Sequence, residues 1–379
     1  MAEAKVVDVP KTYKAAVYDK PGSISTQIVE LVIPEPGHGE VLVRLTHSGV
    51  CGSDLSIMTN AWKTLPFPTA SGQIGGHEGV GVVEKLGVGA DATSVIVLAS
   101  SGPQQYVGPV TDAERALMAT VHYARSLGNV IWISSSESAN FRLTSYYTPG
   151  TFAEYVLSPA NYVTPIPEKL ASADAAPMLC AGLTTYSALR KCKAKSGEWV
   201  VISGAGGGLG HLAVQLAAHA MGYRVIGIDH GSKVVFVKDC GAEVFVDMTN
   251  FTDEAIAKEV KRVTGGLGAS AVILCAGSNK AYGQALSMLS FGGVMVCVGM
   301  PEGQPLPIST ACPETIAAAN TQIIGSTIGS QREAIEVLDF AARGIVKTRL
   351  RVEKIDKLEE VFRQMHDRTL EGRIVIDLT

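Results

Sequence analysis

Residues 200–210 read V-V-I-S-G-A-G-G-G-L-G. A short apolar strand runs into a cluster of small residues. The next stretch, 211–221, is apolar and helix-like, and Gly222 ends it. Strand, glycine turn and helix in that order make a dinucleotide-binding unit. The usual spacing is G-x-G-x-x-G. Gly207 and Gly210 match its last two glycines, Ala205 stands at the first, and Gly204 precedes it. Gly208 and Leu209 complete the turn. Small residues let the backbone approach a pyrophosphate, whose charge sits against the helix N-terminus. Asp229 lies 19 residues beyond Gly210, at the end of the next strand. An acid there bonds the ribose hydroxyls and repels a 2′-phosphate, which favours NAD over NADP. His230 and Lys233 follow it and work against that preference.

Outward from this unit, strands are expected at 223–229, 244–247, 271–275 and 294–299. Helices are expected between them at 233–240, 252–264 and 279–290. Such alternation predicts an α/β fold with a parallel, doubly wound sheet. Toward the C-terminus the pattern is helix 333–344, strand 349–352, helix 358–368 and strand 374–378. Upstream, 13–18 and 41–46 read as strands. The glycine-dense stretch 49–89 reads as loop-rich β structure rather than helix.

Composition narrows the function. The 379 residues carry a net charge of −4, which argues against a nucleic acid or anionic membrane held by bulk charge. No apolar run reaches the ~18–20 residues of a membrane span. The N-terminus lacks a signal-peptide pattern and the C-terminus a lipidation signal, so a cytoplasmic location is expected. The seven cysteines are odd in number, with no C-x-x-C pair, and are expected to be reduced thiols.

Three further stretches stand out: G-V-C-G-S-D-L at 49–55, G-G-H-E-G at 75–79 and P-M-L-C-A-G at 177–182. Singly, Cys51 or Cys180 reads as a buried small residue, and His77 as a structural histidine. Spacing alone does not join residues spread over 130 positions. With Y-Y-T-P-G-T-F (146–152), C-A-G-L-T-T-Y-S-A-L (180–189), G-Y-R-V-I-G-I-D (222–229) and E-G-R-I-V (371–375), however, the chain resembles the zinc-dependent medium-chain alcohol dehydrogenases, particularly fungal and yeast-like members.

The resemblance implies a GroES-like, β-rich catalytic domain over 1–182, a Rossmann domain over 183–322 and a segment, 323–379, that returns to the catalytic domain. It implies a catalytic zinc on Cys51, His77 and Cys180. Glu78 would lie behind the metal, Asp54 would orient His77, and Ser53 would bond the substrate oxygen. Val298 and Met300 would line the nicotinamide, and Arg373 would contact the pyrophosphate. The implied reaction is reversible hydride transfer between an alcohol and NAD, with zinc as the Lewis acid and Ser53 passing the proton outward. Trp62 and Phe67 either shape the substrate pocket or simply pack. A homo-oligomer, dimer or tetramer, is implied, with strand 294–299 and its flanks carrying part of the contact.

Two departures matter. Positions that carry histidines in many relatives, one in a proton relay, are Gly52 and Ser56 here. The family also has a lobe with four closely spaced cysteines that hold a structural zinc. This chain has no cysteine between Cys51 and Cys180, so one zinc is expected, not two. The atypical stretch 92–145 reads instead as strand 95–99, a capping box at 111–114, helix 113–127 and strand 131–133. It is a replacement of the lobe, an artefact of the gene model, or a regulatory insert. Two other functions compete with dehydrogenation: a zinc-free reductase of the same superfamily, and a nucleotide-binding protein without turnover.

Overall fold

A computed structural model describes residues 10–90, 123–125, 141–143, 146, 148–160 and 163–379. The expectations for 95–99, 111–114 and 131–133, and for helix 113–127 apart from 123–125, lie outside the described residues.

The N-terminal part opens with strands β1 (Thr12–Tyr18), β2 (Gln27–Val32) and β3 (Glu40–Val50). Helix α1 (Gly52–Met58) follows, then β4 (Gln73–Ile74) and β5 (Glu78–Leu86). Helix α1 corrects the reading of 49–89 as helix-free. Its start is fixed by Asp54, which reaches back to accept the Cys51 backbone N–H at 2.9 Å. Next come β6 (Tyr123–Arg125) and β7 (Phe141–Leu143), paired antiparallel. This corrects the helix reading at 123–125, where the backbone is extended and Tyr123 is in register with Leu143. Strand β8 (Tyr155–Pro159) closes this part and pairs with β3.

Helix α2 (Ser172–Pro177) passes through a π-turn, Met178–Gly182, into α3 (Leu183–Lys191). The alternating region then runs β9 (Trp199–Ser203), α4 (Gly210–Gln215), β10 (Arg224–Asp229), α5 (Val234–Asp239), β11 (Val244–Asp247), α6 (Asp253–Val263), β12 (Ala269–Leu274), α7 (Asn279–Met288), β13 (Leu289–Cys297), α8 (Pro313–Ala319) and β14 (Gln322–Gly325). Helix α4 continues as a π-turn, Leu216–Ala220, so the expected 211–221 helix is present but underwound in its second half. The six strands form a parallel sheet in the order β11-β10-β9-β12-β13-β14, the doubly wound order expected. Its central strands are apolar on both faces because helices cover both. Val200 and Ile202 pack with Leu212, Leu189 and Val337, while Val201 between them packs with Ile256, Val260 and Tyr282. Strand β13 lies between β12 and β14. The outer edge on that side of the sheet belongs to β14, which flanks the expected contact strand 294–299.

The chain ends with α9 (Gln331–Ala342), β15 (Leu350–Lys354), α10 (Leu358–His366) and β16 (Arg373–Asp377). Strand β16 pairs antiparallel with β3, so the C-terminus returns to the N-terminal sheet. Phe362 on α10 seals that return. It is fully buried, with edge-on contacts to Tyr18 at 6.4 Å and Phe152 at 6.1 Å. Phe362→Ala is expected to cost about 3–5 kcal/mol, read as a lower urea midpoint for loss of tertiary structure. An unchanged midpoint would contradict this packing.

Candidate active site

Cys51 stands at the junction of β3 and α1, His77 and Glu78 at the start of β5, and Cys180 within the π-turn. Their ligand-bearing atoms all lie within 4.8 Å of one another, and all four residues are buried. The register of β3 and β5 sets Gly49 opposite Glu78. A Cβ at Gly49 would stand 1.9 Å from Glu78 Oε2, so only glycine lets that carboxylate turn inward here. The π-turn widens the helix by one residue where Cys180 enters, a distortion often found at functional sites.

Asp54 organises two members of the cluster at once. One oxygen holds the Cys51 backbone N–H, and the other lies 2.7 Å from His77 Nδ1. With Nδ1–H directed at Asp54, Nε2 carries the lone pair in the neutral ring. Ser53 Oγ lies 3.7 Å from Cys51 Sγ.

The members of the cluster shift one another's proton affinities. The Cys51 thiol is pulled well below its ordinary range by its hydrogen bond to Cys180, against burial, with His77 and Arg373 helping. The same bond pushes the Cys180 thiol well up. Burial lowers His77, but Asp54 and Cys51 outweigh it and hold the imidazole at about 10. Burial pushes Glu78 up to about 7, against the pull of Arg373.

The donor set fits zinc. The sulfurs are 4.0 Å apart, too far for the ~2.05 Å of a disulfide. Two thiolates on a tetrahedral zinc, each at about 2.3 Å, stand roughly 3.8 Å apart. Glu78 Oε2 is buried with no hydrogen-bond partner among the described residues. A buried acceptor of that kind is costly unless a cation faces it.

Arg373 is 4% exposed, and its guanidinium donates to Glu78 Oε1. It also lies against the glycine loop: a Cβ at Gly208 would stand 3.2 Å from Nη1. One side chain thus touches both the ligand cluster and the dinucleotide turn. The turn itself is tight. A Cβ at Gly210 would stand 1.9 Å from the Gly204 carbonyl oxygen. Asp229 accepts the Gly206 N–H at 2.7 Å and the His230 N–H at 2.7 Å. A Cβ at Gly206 would stand 2.9 Å from Lys233 Cβ, and Lys233 pairs with Glu371 at 3.2 Å. Leu209 packs on the central core. Gly207 heads the turn, donating its N–H to the Gly204 carbonyl and accepting the His211 N–H.

Val298 and Met300 follow β13 at the carboxyl end of the sheet. A Cβ at Gly277 would stand 2.7 Å from the Met300 carbonyl oxygen. The loop beyond docks on the N-terminal part: the Gly303 N–H donates to the Ala61 carbonyl, and Trp62 bridges Gly303. Phe67 is half-exposed and stacks on Tyr146 at 5.1 Å. Sequence reasoning missed the Arg373–Glu78 pair and a hydrogen bond from Ser56 to Glu302, partners 295 and 246 residues apart.

Residues 37–168 match the family described as alcohol dehydrogenase GroES-like domain, and 208–343 match zinc-binding dehydrogenase. "Alcohol dehydrogenase 2" of Emericella nidulans is 52% identical over 98% of this chain and 99% of its own length. The chain belongs to the zinc-type alcohol dehydrogenases. "Alcohol dehydrogenase" of a Moraxella species is 40% identical over 97% of this chain and 99% of its own length. Acetophenone reductase from Geotrichum candidum, solved in complex with NAD, shares the fold at a TM-score of 0.77, with 24% identity over 98% of each chain. As in its relatives, the dehydrogenase fold here comprises a GroES-like part and a parallel nucleotide-binding sheet. No helix among the described residues is long and apolar enough to cross a membrane.

Proposed function

We propose that this chain is an NAD-dependent zinc alcohol dehydrogenase that interconverts a small primary or secondary alcohol and its aldehyde or ketone. The convergence of Cys51, His77, Cys180 and Glu78 carries this reading. When bound, zinc supplies the Lewis acid for the alcohol or carbonyl oxygen, and NAD supplies the hydride acceptor. Cys51, His77 and Cys180 would hold the metal, and their two thiolates would offset its charge. Asp54 fixes the His77 tautomer and ring orientation. Glu78 lies behind the cluster, restrained by Arg373. Ser53 Oγ accepts the proton from the alcohol oxygen and gives up its own. Val298 and Met300 line the nicotinamide side, and the turn from Gly204 to Gly210 receives the pyrophosphate with Arg373 beside it.

Asp229 faces the adenosine ribose in this reading and repels a 2′-phosphate. Asp229→Ser is expected to raise the ratio of NADP to NAD efficiency about 10–100-fold, roughly 1.4–2.8 kcal/mol of relieved repulsion. The measurement is kcat/KM with each cofactor at a fixed alcohol concentration. An unchanged ratio would remove Asp229 from cofactor choice.

The reading gives one zinc per chain. All seven cysteines are described, all are free, and only Cys51 and Cys180 share a ligand cluster. It also places the chain in a reducing compartment such as the cytoplasm, and in a homo-oligomer that uses the outer edge of β14. The activity test is NADH formation with ethanol and 2-propanol before and after chelation. Activity that disappears with chelator and returns with added zinc supports the reading. Turnover indifferent to chelation contradicts it.

A further inference from the structure

Alcohol oxidation releases one proton per turnover, and the ligand cluster is buried. Ser53 and Ser56 stand three residues apart on α1, so their side chains share a face with roughly 5–6 Å between Cβ atoms. Ser53 lies at the cluster, 3.7 Å from Cys51 Sγ. Ser56 is 5% exposed, and its hydroxyl donates to Glu302 Oε1 at 2.8 Å. Glu302 itself is exposed, on the loop that also carries Met300. The Gly303 N–H bond to Ala61 and the bridge to Trp62 hold that loop in place.

A buried hydroxyl that donates to an exposed carboxylate is polarised in the direction a departing proton must travel. Its oxygen still has lone pairs to accept from the Ser53 side, directly or through one water. We propose that Ser56 and Glu302 carry the substrate proton between Ser53 and solvent, outward in oxidation and inward in reduction. The alcohol proton moves to Ser53 Oγ as Ser53 releases its own toward Ser56. Ser56 passes its proton to Glu302 Oε1 and is reprotonated from Ser53. Glu302 then gives one proton to water. Each hydroxyl ends as it began, and no electrons move in the relay. The proposal rests on Ser53 being the group that takes the proton.

The alternative is a mere latch, since the same hydrogen bond ties the loop after β13 to α1. Glu302→Gln, Glu302→Asp and Ser56→Ala in the zinc-loaded full chain separate the two roles. The relay predicts that E302Q and S56A lower kcat for alcohol oxidation about tenfold, the low side of what positioned proton transfer contributes. It predicts little change in alcohol KM or NADH affinity, a larger solvent deuterium isotope effect on kcat, partial rescue of E302Q by formate as an external proton carrier, and a smaller loss of kcat in E302D than in E302Q. Unchanged kcat in E302Q would overturn it. So would a loss that formate does not restore and that weaker NADH binding accompanies. Ser53→Ala distinguishes the underlying reading. If S53A keeps its rate, the role of Ser53 fails; if S53A is inactive while E302Q matches the parent, only the relay fails.

Discussion

Replacing Cys51 by serine is expected to remove turnover and leave NADH binding in place. The Cys51 thiol is pulled well below its ordinary range by Cys180, with His77 and Arg373 helping, and its sulfur stands 4.0 Å from the second sulfur. Serine keeps the size but offers a hard, neutral hydroxyl in place of a soft anion. Loss of one of three ligands is expected to lower zinc occupancy at least about tenfold. It is expected to lower kcat/KM at least about 1,000-fold, roughly 4 kcal/mol of lost charge stabilisation. The glycine turn and Asp229 lie on the other sheet, so NADH fluorescence titration should give a dissociation constant near the parent's. A Cys51→Ser chain that still oxidises alcohol at a tenth of the parental rate would contradict the ligand assignment.

Arg373→Met is expected to have the second largest effect. The guanidinium is buried between Glu78 and the glycine loop. Burial alone would lower its pKa, but Glu78 and the two thiols raise it, so it remains a cation. Methionine fills much of the volume and removes the charge. Glu78 would then be an unpaired buried carboxylate, a loss of about 3–5 kcal/mol for metal-free protein near pH 8. The sign of the pH dependence follows from Glu78, which burial already holds up at about 7 with Arg373 present. Without Arg373 its folded value rises further above the unfolded ~4.3. A carboxylate with a raised folded value costs stability at high pH, and the cost fades as pH falls and the group takes a proton. The gap in urea midpoint between variant and parent should therefore narrow from pH 8 to pH 5. Losing a charge-assisted bond of roughly 1.5–3 kcal/mol should also raise the NADH dissociation constant about tenfold or more. Equal stability at both pH values, with unchanged NADH affinity, would remove Arg373 from both roles.

The two halves of the chain were unequally legible in sequence. The nucleotide-binding sheet is written locally: each strand is a short apolar run, each helix follows it, and the turn from Gly204 to Gly210 and Asp229 lie within one strand–helix–strand unit. The ligand cluster is not local. Cys51, His77 and Cys180 come from a strand end, a second strand and a π-turn, and no periodicity joins them; the family resemblance did. Helix α1 escaped notice because it starts at Gly52 in a glycine-dense stretch, though Asp54 at its third position was a capping signal. Helix α8 escaped too, although Pro313 at its first turn and Glu314 after it mark a helix start. The partners Arg373–Glu78 and Ser56–Glu302 are brought together by β16 joining β3 and by the loop after β13 docking on α1. Neither event leaves a mark within a sequence window.

Zinc per chain, measured by elemental analysis on purified protein with NADH formation from ethanol and 2-propanol followed on the same sample, tests the account most directly. About one zinc per chain with turnover is the predicted result, because only one cluster among the described residues has the ligands for it. Protein that binds NADH, holds no zinc and oxidises neither alcohol would contradict the account and leave a nucleotide-binding fold without this chemistry.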